Sequence, residues 1–135
     1  MERWQKQTRF FDPAIGGGGN CAEACLASIF NIPLADMPLF HPLRNENEDH
    51  GVAREYWERF DELLRARGFY AVYLEGDRQF DGYYLASGKS SRGCYHMVVY
   101  KDGQLVHDPH PSNEGIASVE CVWVLIPSDP SRLAA

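Results

Sequence analysis

The stretch Asn20–Phe30, NCAEACLASIF, joins a strong helix start to an almost uniformly apolar body. Asn20 is a favoured N-cap residue, and Pro33 disfavours a helical conformation at the residue before it. The sequence therefore predicts a helix that begins at residue 20 or 21 and ends near Asn31. Glu23 is its one charged side chain. A helix that is apolar nearly all round lies inside a domain, so this stretch is predicted to be buried in the core.

The residues after this helix predict a loop, a second helix and then a series of strands. Residues 34–51 are rich in Pro, Asn, Glu and Asp and are predicted to be a loop. Apolar side chains at helical spacing predict an amphipathic helix over 52–67 that Gly68 ends. Helices followed by strands indicate an α+β domain with an antiparallel sheet. Strands are predicted at 69–75, 83–87, 94–100, 104–108 and 121–126.

Composition limits the classes of partner. The 135 residues fit one domain over 1–135, with a tail at 127–135 that we expect to fray. A net charge of −6 and 13 scattered Lys and Arg residues argue against nucleic acid as a partner. The sequence shows neither an apolar run long enough to span a membrane nor a secretory signal, so we expect no membrane partner and a cytoplasmic location.

One of the four cysteines stands out by its position. In a protein of the cytoplasm the thiols are expected to be reduced. Cys25, Cys94 and Cys121 lie in apolar runs and are predicted to be core residues. Cys21 instead follows the glycines 16–19, at the predicted helix start, where the N–H groups and the helix dipole favour a thiolate. Cys21 is therefore the candidate nucleophile.

A histidine is the usual base for such a thiol, because its pKa lies near neutrality. His41 and His50 fall in the polar loop and are predicted to be solvated. His96 falls in the apolar strand CYHMVVY, where a polar group needs a partner. Asp108, at the end of the next strand, is the candidate partner.

The turn between these two strands has two possible forms. A two-residue Asp102–Gly103 loop pairs Lys101 with Gln104 and places Asp108 opposite the residue after His96. A three-residue loop pairs Tyr100 with Gln104 and places Asp108 directly opposite His96. We predict the three-residue loop, because it satisfies both polar side chains. In that register His107 points to the other face of the sheet and is predicted to be structural.

These segments resemble a known family. Cys21–Ala27, CAEACLA, is similar to the Cys-Gly-x-Ala-Cys-Leu-Ala segment of bacteriocin-processing peptidases that cleave double-glycine leaders, which belong to the papain-like superfamily. His96–Val99, with the hairpin and Asp108–Pro109, resembles the histidine strand and Asp-Pro of that family. Ala22 stands where the family has Gly. The 135 residues contain no transporter domain, so we do not expect leader processing coupled to export.

The resemblance implies a papain-like fold, with a buried catalytic helix packed on an antiparallel sheet. It also implies a peptide or amide substrate, cleaved by Cys21, His96 and Asp108 through a thioester without a cofactor. The glutamine that would stabilise the oxyanion is Gln5 or Gln7, and we favour Gln7. The residues predicted to bind substrate are Gly19, Asn20, Tyr95 and His110.

Other interpretations of the same residues remain. The triad is equally compatible with acyl transfer, and a papain-like fold can serve as a binding or regulatory module without turnover. His107-x-x-His110 with Asp108 offers zinc ligands near Cys21, but no C-x-x-C pair is present and we predict no metal site. Ser87–Ser90, SGKS, lacks the upstream glycine of a phosphate loop.

Overall fold

The computed structural model describes residues 3–10, 19–40 and 50–131. Within them the chain forms two α-helices and a five-stranded antiparallel sheet, which confirms the predicted α+β class. Every predicted strand is present, and the helix bounds agree within two residues. The elements are α1 (Cys21–Phe30), a 3-10 turn (Leu34–Asp36), α2 (His50–Ala66), β1 (Phe69–Glu75), β2 (Tyr83–Lys89), β3 (Tyr95–Lys101), β4 (Gln104–His107) and β5 (Cys121–Pro127).

The sheet has the strand order β1-β5-β2-β3-β4. Successive residues of a strand point to opposite faces, and β3 carries apolar side chains on both. On one face, Met97 and Val99 of β3 pack with Leu26 of α1 and Phe60 of α2 in the larger core cluster. On the other face, Val98 packs in a smaller cluster with side chains of the other strands and of the 116–119 segment. The chain around β3 is therefore covered on both sides.

Helix α1 has the predicted bounds, and its ends show why. Asn31 adopts the left-handed conformation with φ 58°, and the N–H of Ile32 bonds to the Ala27 carbonyl at 2.9 Å. At the other end Asn20 occupies the N-cap position, but its side chain makes no capping bond. Its oxygen accepts the N–H groups of Thr8 and Arg9 instead, at 2.9 and 2.8 Å. Asn20 thus ties the N-terminal segment to the helix start.

The hairpin between β3 and β4 corrects the predicted register. Asp102 and Gly103 have φ 53° and 83°, the pair of positive angles of a two-residue type I′ turn, and Lys101 pairs with Gln104. The predicted three-residue loop is wrong. A bulge then shifts the pairing, so that Val99 faces His107, where β4 ends.

The C-terminal tail is ordered at its start. Pro127 is the last residue of β5 and pairs with Phe69, and the Ser128 N–H donates to the Gly68 carbonyl at 2.8 Å. The fraying predicted from residue 127 therefore does not begin there. None of the helices found in the described ranges is long and apolar enough to cross a membrane.

Candidate active site

His96 and Asp108 form a buried pair. The Nε2 atom of His96 lies 2.6 Å from Oδ1 of Asp108, and the side chains are 4% and 1% exposed. Two backbone groups also donate to the carboxylate: the N–H of His110 to Oδ1 at 2.8 Å and the N–H of Gly115 to Oδ2 at 2.7 Å. The sequence predicted the His96–Asp108 contact, but not these two N–H groups, which come from a turn that no motif marks.

These contacts set the proton positions of the pair. Burial raises the pKa of Asp108, but the hydrogen bonds from His96, His110 and Gly115 outweigh it and hold that pKa well below its ordinary value. Asp108 is therefore ionised and acts only as an acceptor. The shared proton then resides on Nε2 of His96. Nδ1, which has no hydrogen-bond partner among the described residues, is left to act as an acceptor.

Lys6 fixes the segment that carries Asp108. Its ammonium donates to the backbone carbonyls of Asp108 and His110, at 2.7 and 3.1 Å, and to the side-chain oxygen of Asn113. The backbone N–H of Gln7 donates to the Pro109 carbonyl at 2.9 Å. Lys6 was not singled out in the sequence, because an isolated lysine near a chain end resembles any solvated one. Only the fold brings it to a loop a hundred residues away.

Cys21 and His96 line the same cleft, and the backbone of Met97, the residue after His96, lies near the Cys21 thiol. The Cys25 thiol donates to the Met97 carbonyl at 3.4 Å, and the Met97 backbone is close enough to the Cys21 thiol to lower its pKa. Strand β4 pairs with β3 only as far as Val99, and helix α1 is in contact with β3. No hydrogen bond within the described residues joins Cys21 directly to His96.

The resting thiol is not activated in the way that the sequence predicts. Cys21 is partly exposed in the cleft, but the loss of hydration around its thiol, together with the charge of Glu23, raises its pKa to about 11. The N–H groups of Met97, Ala22 and Cys21 itself lower it, as expected for a helix N-terminus, but they do not offset the loss of hydration. Cys21 is consequently a neutral thiol near pH 7.

The two candidate glutamines have different surroundings. Gln5 is fully engaged near the end of α1, where its amide donates to the Ile32 carbonyl at 2.6 Å and accepts the Leu34 N–H at 2.7 Å. Gln7 is buried and lines the same cleft as Cys21. One N–H of its amide donates to the Arg9 carbonyl at 2.8 Å, and its Oε1 has no partner in the described part of the chain. Of the two, Gln7 is the one that lines the cleft, and its second amide N–H has no acceptor among the described residues.

Cys21, His96 and Gln7 line a cleft of about 370 Å³. Of the predicted substrate-binding residues, Gly19, Tyr95 and His110 line it, and Asn20 does not, because its side chain is turned to Thr8 and Arg9. Tyr95 is 64% exposed and forms an outer wall. The described lining consists of Gln7, Phe10, Gly19, Cys21, Arg92, Gly93, Cys94, Tyr95, His96 and His110.

The exposure of the cysteines agrees only in part with the sequence prediction. Cys94 was predicted to lie in the core but is partly exposed in the cleft, with its sulfur 3.5 Å from the Ser90 hydroxyl. Cys121 is also partly exposed, whereas Cys25 is buried as predicted.

Arg92 also lines the cleft, although no sequence motif surrounds it. It reaches the cleft because the 90–94 turn, closed by a bond from the Gly93 N–H to the Ser90 carbonyl at 2.9 Å, presents it there.

The remaining histidines are accounted for separately. His107 lies on the α1 side of the sheet, away from His96 as predicted, with Nε2 2.7 Å from the Gln5 carbonyl and its ring against Trp4. His41 and the side chain of His50 lie outside the described residues. In the described ranges no three His, Cys, Asp or Glu side chains are grouped so as to hold a metal ion.

Comparison of the chain with protein-family models, with curated proteins and with solved structures finds no match.

Proposed function

We propose that the protein is a papain-like cysteine hydrolase that cleaves a peptide or amide bond with Cys21, His96 and Asp108. The observation that carries this proposal is the buried 2.6 Å contact of Asp108 with His96, which lines a cleft together with Cys21 at the N-terminus of a buried helix. An ionised carboxylate that fixes the tautomer of a histidine is the arrangement that prepares the second ring nitrogen as a base. This chemistry needs no cofactor.

Acylation begins with a neutral thiol. As Cys21 Sγ attacks the substrate carbonyl carbon, Nδ1 of His96 takes the thiol proton and the S–C bond forms. The carbonyl oxygen becomes an oxyanion, and the N–H of Cys21 and the free N–H of the Gln7 amide are its donors. His96 then gives the proton to the amine nitrogen, the C–N bond breaks, and the amine leaves a thioester on Cys21.

Deacylation repeats these transfers with water. His96 Nδ1 takes a proton from the water as its oxygen bonds to the thioester carbon. The C–S bond breaks, the proton returns to the sulfur, and a carboxylic acid is released. An amine in place of water gives transfer instead of hydrolysis, by the same steps. Asp108 remains ionised throughout and stabilises the imidazolium that forms twice in each cycle.

One observation favours a second function. The raised pKa of Cys21 leaves very little thiolate at neutral pH, which is the expected state of a papain-like fold that binds a ligand without turnover. The two functions differ in whether His96 removes the thiol proton when an electrophile occupies the cleft.

A chromogenic ester separates them. With p-nitrophenyl acetate, the hydrolase gives a burst of p-nitrophenolate equal to the protein concentration, followed by steady turnover, and Cys21→Ala abolishes both. The matched control is Cys25→Ala, which removes a buried thiol one helical turn away and keeps the burst. A folded wild-type protein with no acylation at Cys21 would support the binding module instead.

A further inference from the structure

One wall of the cleft carries positive charge without a counterion. Arg92 is the only Lys, Arg, Asp or Glu in the described lining, although the whole chain has a net charge of −6. In the described ranges its guanidinium donates to the Ser112 hydroxyl at 3.4 Å and pairs with no carboxylate. The nearby Glu114 carboxylate instead accepts from the Ser91 hydroxyl, which lies 3.1 and 3.0 Å from its two oxygens.

Ser112, which accepts from Arg92, also contacts the ring of His110. Nδ1 of His110 accepts the backbone N–H of Ser112 at 3.0 Å and lies 3.0 Å from its hydroxyl. Because Nδ1 is an acceptor there, the proton of the neutral ring is on Nε2. Burial and the charges of Arg92 and His96 lower the pKa of His110 and outweigh the opposing effects of Asp108 and Glu114, which favours the neutral ring. The rings of His110 and His96 are nearly perpendicular, with their centroids 6.1 Å apart.

We propose that Arg92, with the Nε2–H group of His110, forms a subsite for a carboxylate of the substrate next to the bond that is cleaved. A guanidinium matches the two oxygens of a carboxylate and is weakly hydrated, so it exchanges water for this ligand at low cost. The inference rests on the proposed function, because it assigns the subsite to the substrate that Cys21 attacks. The substrate class is accordingly an acidic peptide, with the carboxylate on a side chain or at the chain end.

Two alkylating reagents of nearly equal size test the subsite without a known substrate. Iodoacetate carries a carboxylate and iodoacetamide does not. In both reactions the Cys21 thiolate bonds to the methylene carbon and iodide leaves, so a carboxymethyl or a carbamoylmethyl group is added to the sulfur. The quantity measured is the rate with iodoacetate divided by the rate with iodoacetamide at Cys21, followed by peptide mass mapping at pH 8. Any change in the pKa of the thiol affects both rates equally and cancels in this ratio. We expect this ratio to exceed that of N-acetylcysteine amide, and Arg92→Gln to lower it about three- to fivefold.

Arg78→Gln is the matched control. Arg78 is an exposed arginine bonded to the Glu75 carbonyl, outside the described lining of the cleft. This variant removes the same charge and should keep the ratio. The effect of Arg92 should also weaken at high salt, because the interaction is between partly exposed charges. An unchanged ratio in Arg92→Gln would overturn the subsite while leaving the hydrolase in place. Acylation of Cys21 by p-nitrophenyl acetate tests the hydrolase separately.

Protection from iodoacetate then identifies the source of the carboxylate. N-acetyl-aspartyl amide presents only a side-chain carboxylate, and N-acetyl-glycyl-glycine presents only a terminal one. Slower labelling with the first peptide assigns the subsite to an acidic side chain, and slower labelling with the second assigns it to a chain end. In either case the protection should be lost in Arg92→Gln.

Discussion

Asp108 lies 2.6 Å from His96 although the two residues are not cross-strand partners. The hairpin pairs Lys101 with Gln104, and a bulge then brings His107 opposite Val99, so Asp108 lies past the end of the ladder. The N–H groups of His110 and Gly115 and the ammonium of Lys6 place it there. The position of the carboxylate thus depends on a loop rather than on strand register.

Replacing Asp108 by Asn should keep the fold and lower turnover of p-nitrophenyl acetate by about 10²–10⁴-fold. The asparagine amide has one acceptor oxygen where three donors converge, so the His96 tautomer is no longer fixed. Asp102→Asn is the control, because it makes the same chemical change in the hairpin turn, where the Asp102 carboxylate accepts the Gly82 N–H. Equal turnover in the two variants would remove Asp108 from the mechanism.

The ionised state of Asp108 also predicts how stability depends on pH. Its folded pKa is depressed, so its contribution to the free energy of unfolding is complete above the unfolded value of about 3.9 and is lost as pH falls toward the folded pKa. Urea unfolding of wild type and Asp108→Asn at intervals from pH 7 to pH 3 measures this. The stability difference should be constant from pH 7 to 5 and shrink below pH 4. A difference that grows on acidification would contradict the assignment.

Lys6→Met should slow turnover about tenfold and lower the free energy of unfolding by about 1 kcal/mol, because the 108–113 loop loses three hydrogen bonds. Lys6→Arg retains the charge and should recover part of the activity. Lys101→Met, at an exposed lysine over the Tyr83 ring, controls for the lost charge. If Lys6→Met lost stability but kept full turnover, the loop would not depend on Lys6 for its catalytic geometry.

The elements of secondary structure were predictable from local signals in the sequence. The candidate site was predictable only in part. The helix from Cys21 follows from an apolar run with a stop at Asn31, and Cys21 and His96 followed from residue type and position. The hairpin was mispredicted because the Asp-Gly turn favours two positive φ angles, and a bulge then supplies the offset that a longer loop was expected to give. Local sequence does not encode such a bulge.

Contacts distant in sequence account for the rest. Asn20 has the residue type of a cap, yet its side chain is used by Thr8 and Arg9, because the N-terminal segment crosses the start of α1. Lys6 and Gly115 acquire their roles only when the chain closes on Asp108. The pKa of Cys21 was mispredicted for a similar reason: the helix N-terminus does lower it, but burial by the assembled core raises it more.

Alkylation should reveal this high thiol pKa directly. Because iodoacetamide reacts with thiolate, its rate at Cys21 should rise about tenfold per pH unit up to pH 9 or beyond, toward a pKa of about 11. The same cysteine in urea should level off near the ordinary value of about 8.5. Fast labelling that is already constant below pH 8 would show instead a thiolate in the resting protein.

The most direct test of the triad compares acylation of Cys21 by p-nitrophenyl acetate in wild type and in His96→Gln. If His96 takes the thiol proton, wild type at pH 7 should acylate about 10²–10⁴-fold faster. The variant should approach wild type only as pH rises and the thiol ionises unaided. Equal rates and the same pH profile in both proteins would show that Cys21 and His96 share a cleft without acting together.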